Sequence, residues 1–176
     1  RSTLFSALVD PAAIDPSWSA NEDEWDDKES ITGLSYSALT KAKAQGQMSS
    51  LRSLQQCIER ALSPSAHLVG HNLASDLRAV HLYGPHLRRR LIDTQAVYTF
   101  GNGAWPALRV LVQQMLPTDE WEGFQTTWHD PEADANAVLT LVLREVELLL
   151  LHPERERGEW EGRHERLEDA PASAEA

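Results

Sequence analysis

The sequence predicts an α/β domain built on one layered sheet, because short apolar strand segments alternate with helical patterns. The first such segment runs from Leu68 to Leu77, where two apolar residues lead into a glycine turn and then a helix with leucines four residues apart. The second runs from Leu91 to Thr94 and has a short apolar strand followed by Asp-Thr. The third segment is a long C-terminal helix that begins at Asp130-Pro131, residue types that are common at helix starts.

The N-terminal part is predicted to begin with one strand and one loop. Leu4 to Val9 has the apolar content of a strand and ends at Asp10-Pro11. Ala12 to Ser30 is predicted to be a loop, and its acidic part, 19–30, is too charged to be buried.

Two helices are predicted to follow this loop. Ser35 to Ala44 has a helical pattern that Gly46 ends. Leu51 to Leu62 has apolar residues at helical spacing, and either Ser49 or Ser50 can cap it. Ser-Pro-Ser at 63–65 breaks that helix before the central strand.

The turn after the central strand places several polar residues together. Gly70 is expected where the chain needs a positive φ or a close backbone approach, and His71 and Asn72 are expected to organise the turn by hydrogen bonding. Asp76 lies off the apolar stripe of the next helix, near its start. A carboxylate at this edge of a sheet can reach a metal or a substrate, although helix starts also favour acids for electrostatic reasons alone.

The C-terminal half is predicted to hold two further helices. Pro106 opens the first, which closes before Pro117. Asp130 is a good N-cap for the last, with Pro131 in the first helical position. Its apolar face is predicted from helical spacing to consist of Ala135, Val138, Leu139, Val142, Leu143 and Val146.

Length and charge bound the organisation of the chain. Its 176 residues fit one domain at 1–151, followed by a Glu/Arg-rich tail at 152–176 that is predicted to be disordered. The net charge is −11, of which six acids and Lys28 give −5 at 22–29, and eight acids and four arginines give −4 in the tail. This distribution leaves the body near neutral, which argues against a broad non-specific nucleic-acid surface and leaves room for a small cleft.

The cellular setting is expected to be intracellular and without a membrane span. No run approaches the ~20 apolar residues that cross a bilayer, and no secretory signal is recognisable. The lone Cys57 cannot form an internal disulfide. Nuclear, nucleolar and cytoplasmic compartments are equally compatible with these features.

His129 and Asp134 lie at the start of the last helix in a His-x-x-x-x-Asp spacing. The spacing puts a general base beside a carboxylate at the electropositive end of a helix. Taken singly, His129 fits an ordinary loop histidine, and Asp134 and Asp76 fit ordinary helix-start acids. Their meaning therefore depends on the three segments considered together.

Together, these segments resemble the DEDDh 3′–5′ exonucleases of the RNase H-like fold, particularly the eukaryotic RNA exonuclease branch. The stretch LVGHNLASDLRAVHL resembles the second motif of that family and places Asp76 on its acid. LIDT resembles the Asp-Thr that follows, at Asp93-Thr94. HDPEADANAVLTL resembles the third motif, with His129 on the general base and Asp134 on the last acid. The resemblance runs from about residue 4 to 150 and implies a central mixed sheet flanked by helices.

The resemblance also implies a reaction and a metal. It implies hydrolysis of phosphodiester bonds from the 3′ end of a nucleic acid, with RNA as the substrate, by two Mg²⁺ or Mn²⁺ ions. Asp76 and Asp134 would be metal ligands, and His129 would take the proton of the attacking water.

Three residues of the central segments have supporting roles in this interpretation. His71 and Asn72 would bind substrate in the cleft as well as organise the turn. Asp93 would be a structural acid near the site, which we favour over a direct metal contact.

One departure from the family pattern affects the mechanism. The family's first motif, Asp-x-Glu on the opening strand, is not found around LFSALVDP at 4–11. Because residue 1 is Arg rather than Met, we interpret the chain as lacking the first strand. The two-metal site would then be incomplete, and we expect the chain alone to be inactive or very weak.

Two alternatives to an enzyme remain open on the sequence. In the first, the chain is a catalytically dead exonuclease-fold module that serves as a binding or structural subunit of an RNA–protein assembly. A protein partner would then contact the acidic loop with Trp18 and Trp25, or the tail with Trp160. In the second, the chain is an unrelated α/β domain in which the motif order arose by chance.

Overall fold

The computed structural model describes residues 7–14, 22–99, 103–116 and 119–152, and within the helix at 22–32 it describes the side chains of Trp25 and of residues 28–32. The helices of this part are α1 (Pro11–Ile14), α2 (Glu22–Thr32), α3 (Tyr36–Ala44), α4 (Leu51–Ala61), α5 (Leu73–Ala79), α6 (Pro85–Arg88), α7 (Thr94–Val97), α8 (Leu108–Met115) and α9 (Pro131–Leu151), with a 3-10 turn at Asp119–Trp121. The strands are β1 (Leu68–Gly70) and β2 (Leu91–Asp93).

The described residues form a helix-rich α/β structure with a small parallel sheet of β1 and β2. The α/β class is therefore confirmed. Within the described ranges the sheet has two strands, fewer than the predicted central mixed sheet, and the RNase H-like architecture stays a prediction.

The acidic segment is helical, so its prediction as a loop was wrong. Helices α1 and α2 both overlap the stretch at 12–30 that was predicted as a loop. Helix α2 includes most of its acidic part at 19–30. Glutamate is a good helix former, and acids are favoured in the first turn by the helix dipole. Trp25 anchors the helix because it is only 6% exposed, and its indole N–H donates to the carbonyl of Leu34 at 2.5 Å.

This burial also corrects the role that the sequence suggested for Trp25. A side chain that is buried and hydrogen-bonded within its own unit is a packing residue and not a free contact for a partner. Trp18 and Trp160, the other two predicted contact residues, lie outside the described residues.

The predicted N-terminal strand is described only at its end. Residues 4–6 lie outside the described residues. Val9 forms an isolated parallel bridge with Ser49, whose N–H donates to the carbonyl of Leu8 at 2.8 Å. The described end of this segment is therefore a single bridge.

Helices α3 and α4 both begin at a serine cap, and the cap of α4 was predicted. Ser35 accepts the N–H of Ala38, and of the two candidate caps for α4 it is Ser50 that accepts the N–H of Ser53, at 3.1 Å. Gly46 follows α3 with a φ of +65°, which a glycine adopts without strain.

The central strand, turn and helix and the second strand lie where the sequence predicted them, as β1, α5 and β2. One boundary differs, because α8 starts at Leu108 rather than at Pro106. Helix α7 starts at Thr94, where the Asp93 side chain caps it.

Helix α9 buries a face that overlaps the predicted one in part. Its buried residues are Ala137, Val138, Leu141 and Glu145, of which Val138 was predicted. Of the other predicted residues, Leu139 and Val142 are half-buried, whereas Ala135 is exposed, Leu143 is 50% exposed and Val146 is 46% exposed. The sequence of α9 is apolar on nearly every side, so spacing alone could not single out the stripe that packs. Of the predicted tail, His152 is described and 153–176 lie outside the described residues.

The chain divides into two compact units that the predicted single domain did not distinguish. Unit 1 comprises Arg1–Leu68, Ala74–Arg90 and Gln125–Glu132, and unit 2 comprises Val69–Leu73, Leu91–Phe124 and Ala133–Ala176. The buried apolar residues of unit 1 are Trp25, Leu39, Ala42, Leu77, Leu82 and Leu87. The core of unit 2 is a cluster of Tyr98, Leu108, Leu111, Val112, Leu116, Phe124, Ala137, Val138 and Leu141.

No helix in the described part of the chain is long and apolar enough to cross a membrane.

Candidate active site

The turn after β1 belongs to unit 2 and is shaped by two backbone features. A Cβ atom on Gly70 would lie 2.7 Å from the Cβ of Leu73, so Gly70 allows the close approach that the sequence suggested. The positive φ of the turn falls on Asn72, at 57°, a conformation that asparagine tolerates better than most residues. The turn is therefore fixed by one close contact and one left-handed residue.

Asp93 fastens this turn to the end of β2. Its Oδ1 accepts the backbone N–H of Asn72 at 2.9 Å and the backbone N–H of Gln95 at 3.1 Å. One carboxylate oxygen thus caps α7 and holds the turn after β1. Asp93 acts through the backbone of both segments.

His71 lies half-buried beside a hydroxyl group that is completely buried. Its Nδ1 is 2.9 Å from Oγ1 of Thr94, and that hydroxyl also donates to the carbonyl of Gly70 at 3.2 Å. Burial lowers the pKa of His71, and this effect exceeds the opposing influence of the Asp93 charge, a hydrogen bond to the backbone of Pro106 and the Asp134 charge. Proline has no N–H, so the Pro106 group in this bond is its carbonyl.

Asp134 lies in the first turn of α9 and is half-buried. The helix starts there because the Asp130 side chain accepts the N–H of Glu132 at 2.9 Å and Pro131 takes the first position, as predicted. The effect of the Asp134 charge on the pKa of His71 places both groups in one electrostatic environment. Within unit 2, the charges of Asp93 and Asp134 therefore both favour the protonated form of His71.

His129 lies in unit 1, in the segment before α9. Its backbone N–H donates to the carbonyl of Ile31 at 2.6 Å, and its ring Nδ1 is 3.1 Å from Nε2 of Gln125. The ring itself is exposed. Next to it, Trp128 packs on Gly33, where a Cβ atom would lie 2.7 Å from the indole ring. The end of α2 and the residues after it therefore support the backbone of His129.

Asp76 lies in the first turn of α5, also in unit 1, and is exposed. The predicted convergence of Asp76, His129 and Asp134 joins residues of the two units, and it stays a prediction.

The metal site also stays a prediction. Among the residues that the structure describes, no group of three or more His, Cys, Asp or Glu side chains is arranged to hold an ion. The carboxylates of Asp76 and Asp134 have the donor chemistry that Mg²⁺ and Mn²⁺ prefer.

Comparison with known proteins shows similarity to RNA exonucleases. The chain is 32% identical over 107 residues to RNA exonuclease 5 of Homo sapiens and of Bos taurus, which is 61% of this chain and 13% of each relative. It is 32% identical over 84 residues to RNA exonuclease 3 of Schizosaccharomyces pombe, which is 48% of this chain and 14% of that relative. The chain thus spans about an eighth of the length of the curated relatives it matches.

No family model matches the chain, and no solved structure matches it significantly. The similarity to these relatives supports the exonuclease resemblance at the level of the class. The DEDDh assignment, the 3′–5′ direction and the missing first strand stay predictions.

Sequence reasoning missed three residues that support the candidate site residues. Thr94 was noted only as the last residue of LIDT, although its buried hydroxyl bonds to His71. The carbonyl of Pro106 and the side chain of Gln125 had no sequence signal, because both are brought to histidines by loop geometry.

Proposed function

We propose that this chain is the core of a metal-dependent exonuclease that hydrolyses RNA from its 3′ end. The observation that carries the proposal is the 32% identity to RNA exonuclease 5 over 107 residues, a stretch that is 61% of the chain. The order and spacing of the segments around Asp76, Asp93 and Asp134 support the same class.

The groups gathered in unit 2 suit the substrate side of such a site. Burial keeps the pKa of His71 low, so at neutral pH its ring is an uncharged hydrogen-bonding group. Asn72 is exposed, and its backbone N–H is bonded to Asp93. The side-chain amide of Asn72 is therefore attached to a backbone whose position is fixed. We assign His71 and Asn72 to substrate binding, with Asp93 as the structural acid that holds their turn.

His129 is assigned the role of general base. Its ring is exposed, and a neutral imidazole can take the proton of a water molecule near pH 7. The hydrogen bond from its backbone N–H to the carbonyl of Ile31 fixes the position of the backbone that carries the ring.

Asp76 and Asp134 are assigned to metal binding. When bound, Mg²⁺ or Mn²⁺ supplies a Lewis acid that activates water and stabilises the leaving 3′ oxygen. The two carboxylates are fewer than a two-metal site needs, so the proposal requires further acids, which the family resemblance assigns to an Asp-x-Glu strand.

The first test compares two acids in one helix turn. In the chain extended at its N-terminus along its own gene, Asp134→Asn should lower the rate of shortening of a 5′-labelled RNA by about 100-fold or more, in the range of lost acid–base or metal groups. Glu132→Gln is the control, because Glu132 is exposed in the same turn and has no assigned role. Equal rates for the Asp134 variant and the unmodified protein would overturn the assignment.

The second test uses the 176-residue chain itself with Mg²⁺ or Mn²⁺. We expect little or no shortening of RNA by this chain alone. Vigorous digestion that Asp134→Ala abolishes would show that residues 1–176 contain all the required carboxylates and that the inference of a missing motif is wrong.

A second candidate function is a non-catalytic RNA-binding module. It is favoured by the absence of a recognisable Asp-x-Glu motif from the sequence. The two candidates differ in the extended protein, because a module would bind RNA and leave its length unchanged in the presence of metal.

A further inference from the structure

The indole ring of Trp128 rests with one face on the backbone of Gly33, and both residues belong to unit 1. A Cβ atom on Gly33 would lie 2.7 Å, 2.9 Å and 3.1 Å from Cγ, Cδ1 and Cδ2 of the five-membered ring. Such similar distances to adjacent ring atoms place Gly33 over the face of the ring and not at its edge. The backbone of a residue without a side chain therefore supports this indole from one side.

The opposite side of the same ring is open to solvent. Trp128 is 57% exposed although one face of its indole is covered, so the exposed surface includes the other face. Tryptophan is highly buried on average, which makes this degree of exposure informative. Ile31 is also exposed, and its carbonyl accepts the N–H of His129 at 2.6 Å, which fixes the backbone next to Trp128. A flat aromatic surface is thus held from one side and accessible from the other.

This surface suits an unpaired nucleobase better than a phosphate group. Single-stranded RNA is commonly held by stacking of its bases on aromatic side chains, and stacking tolerates every base because each has a π face. The segment from Trp128 to Glu132 includes the acids Asp130 and Glu132 and has no lysine or arginine. Its charge therefore disfavours a phosphate and leaves contact with an uncharged base as the attractive interaction.

We propose that Trp128 is a stacking platform for an unpaired base of RNA, and that Gly33 supports this platform from behind. The place of that base in the reaction rests on the function proposed above, in which His129 is the general base. Trp128 directly precedes His129, and consecutive Cα atoms lie about 3.8 Å apart. A base stacked on the indole therefore belongs to a nucleotide close to the bond that is hydrolysed.

Binding of RNA by the 176-residue chain tests the platform without hydrolysis. The measurement is fluorescence anisotropy of a short 5′-labelled single-stranded oligoribonucleotide in EDTA, because stacking needs no metal. Trp128→Leu keeps an apolar side chain over Gly33 and removes the flat ring, whereas Trp128→Phe keeps an aromatic face. The Leu variant should bind the RNA about tenfold or more weakly, and the Phe variant should stay within about threefold of the unmodified chain.

Oligonucleotides that lack a single base make the test specific for stacking. In a set with one abasic ribose at each position in turn, at least one member should bind the unmodified chain about as weakly as the intact RNA binds the Trp128→Leu variant. For that member Trp128→Leu should have no further effect, because the partner of the ring is already missing. Replacing the base at that position by another base should change the affinity less than removing it.

Leu150→Ala is the control for the loss of an exposed apolar side chain, because Leu150 is 77% exposed and belongs to unit 2. It should leave the affinity unchanged, and far-UV circular dichroism checks the folding of every variant. Equal affinities of the unmodified chain and a folded Trp128→Leu variant, or no measurable binding by the unmodified chain, would overturn the proposal. If the Leu variant does not fold, the abasic set still decides, because an affinity that no missing base lowers contradicts the platform.

Kinetics of the protein extended at its N-terminus separate this inference from the proposed function. There, Trp128→Leu should raise KM about tenfold with a smaller change in kcat, as expected when binding is lost equally from the ground state and the transition state. If the extended protein shortens RNA and Trp128→Leu changes neither KM nor binding, the platform is wrong and the proposed function stands. If the binding results hold and the extended protein does not hydrolyse RNA, the platform stands and the proposed function is wrong.

Discussion

At the scale of single residues, His71 shows how burial and charge oppose each other. Burial disfavours its cationic form, while the carboxylates of Asp93 and Asp134 and the carbonyl of Pro106 favour that form. Burial has the larger effect and the pKa is lowered. The hydroxyl of Thr94 faces Nδ1 and carries no charge.

The lowered pKa of His71 predicts a dependence of stability on pH. Below its ordinary pKa of 6.5 the unfolded chain binds a proton at this residue that the folded chain does not bind, so the free energy of unfolding falls as pH falls. The loss begins near pH 6.5 and is complete once the pH is below the lowered pKa. Urea unfolding between these limits should therefore show stability rising with pH.

The comparison variant for this prediction is His71→Asn. An asparagine amide can approach Thr94 much as Nδ1 does, and it does not titrate. Subtracting its pH profile from that of the unmodified chain removes the contributions of the other six histidines. If the difference in the free energy of unfolding between the two proteins stays constant as the pH is lowered from 6.5, the pKa of His71 is not lowered.

The sequence offers a signal for the candidate site residues and none for the residues that support them. The segments around Asp76, Asp93 and Asp134 are continuous in sequence, so their order could be recognised. The support for His71 and His129 comes from Thr94, Pro106 and Gln125, which lie 23, 35 and 4 positions away and are brought there by turns. Short-range patterns do not encode such contacts.

At the scale of elements, the link between the end of α2 and the segment before α9 matters most for His129. Gly33 ends α2 with a φ of +67°, and the indole ring of Trp128 covers it. The adjacent carbonyl of Ile31 accepts the N–H of His129.

Gly33→Ala should destabilise the chain for two reasons, and Gly46→Ala for only one. Both glycines have a positive φ, which costs an L-residue about 1–2 kcal/mol. A Cβ at Gly33 would also lie 2.7 Å from Trp128, whereas nothing lies within 4 Å of one at Gly46. Overpacking adds about 1–3 kcal/mol, so urea denaturation should show a larger loss for Gly33→Ala. Equal losses would contradict the contact with Trp128.

Helix α9 offers a test of which face is buried. Leu141 is fully buried and Leu143 is 50% exposed, so the two leucines lie in one helix with different surroundings. Leu141→Ala should lower the free energy of unfolding by about 2–5 kcal/mol, and Leu143→Ala by less than about 1 kcal/mol. Both changes alter helix propensity equally, so the difference reports packing. Chemical denaturation measures both losses of stability. Similar losses for the two variants would contradict the burial of Leu141 and the exposure of Leu143.

The helices that were predicted well are those whose ends are marked by capping or helix-ending residues. Helices α3, α4 and α9 were predicted closely because serine, aspartate, proline and glycine mark their ends. Helix α2 was missed because a run of acids was interpreted as solvated loop, and its anchor, Trp25, gives no signal by spacing. Tertiary packing decided the element and the sequence pattern did not.

At the scale of the whole molecule, the charge distribution limits how RNA can be held. The net charge is −11. The sequence has one run of three consecutive arginines, Arg88-Arg89-Arg90, but the side chain of Arg90 is bonded to backbone carbonyls of the protein. Arg90 donates through Nε to the carbonyl of Ala66 at 2.7 Å and through its guanidinium to the carbonyl of Ser63. Arg88 and Arg89 are the exposed members of the cluster.

We therefore expect RNA binding by the chain to depend weakly on salt. Each phosphate contact to a single strand contributes about −0.7 to the slope of log K against log salt concentration. If only the two exposed arginines of this cluster contact phosphate, the slope is near −1.4. Fluorescence anisotropy of a labelled oligoribonucleotide, measured over a range of salt concentrations, gives the slope.

Arg88→Gln with Arg89→Gln tests the origin of that slope, and Arg60→Gln is the control because Arg60 is an exposed arginine outside the cluster. If the pair contacts phosphate, the double variant should bring the slope close to zero while Arg60→Gln leaves it unchanged. A slope steeper than about −3 would require more than four phosphate contacts. That result would mean that the chain carries an extended basic surface, contrary to its charge distribution.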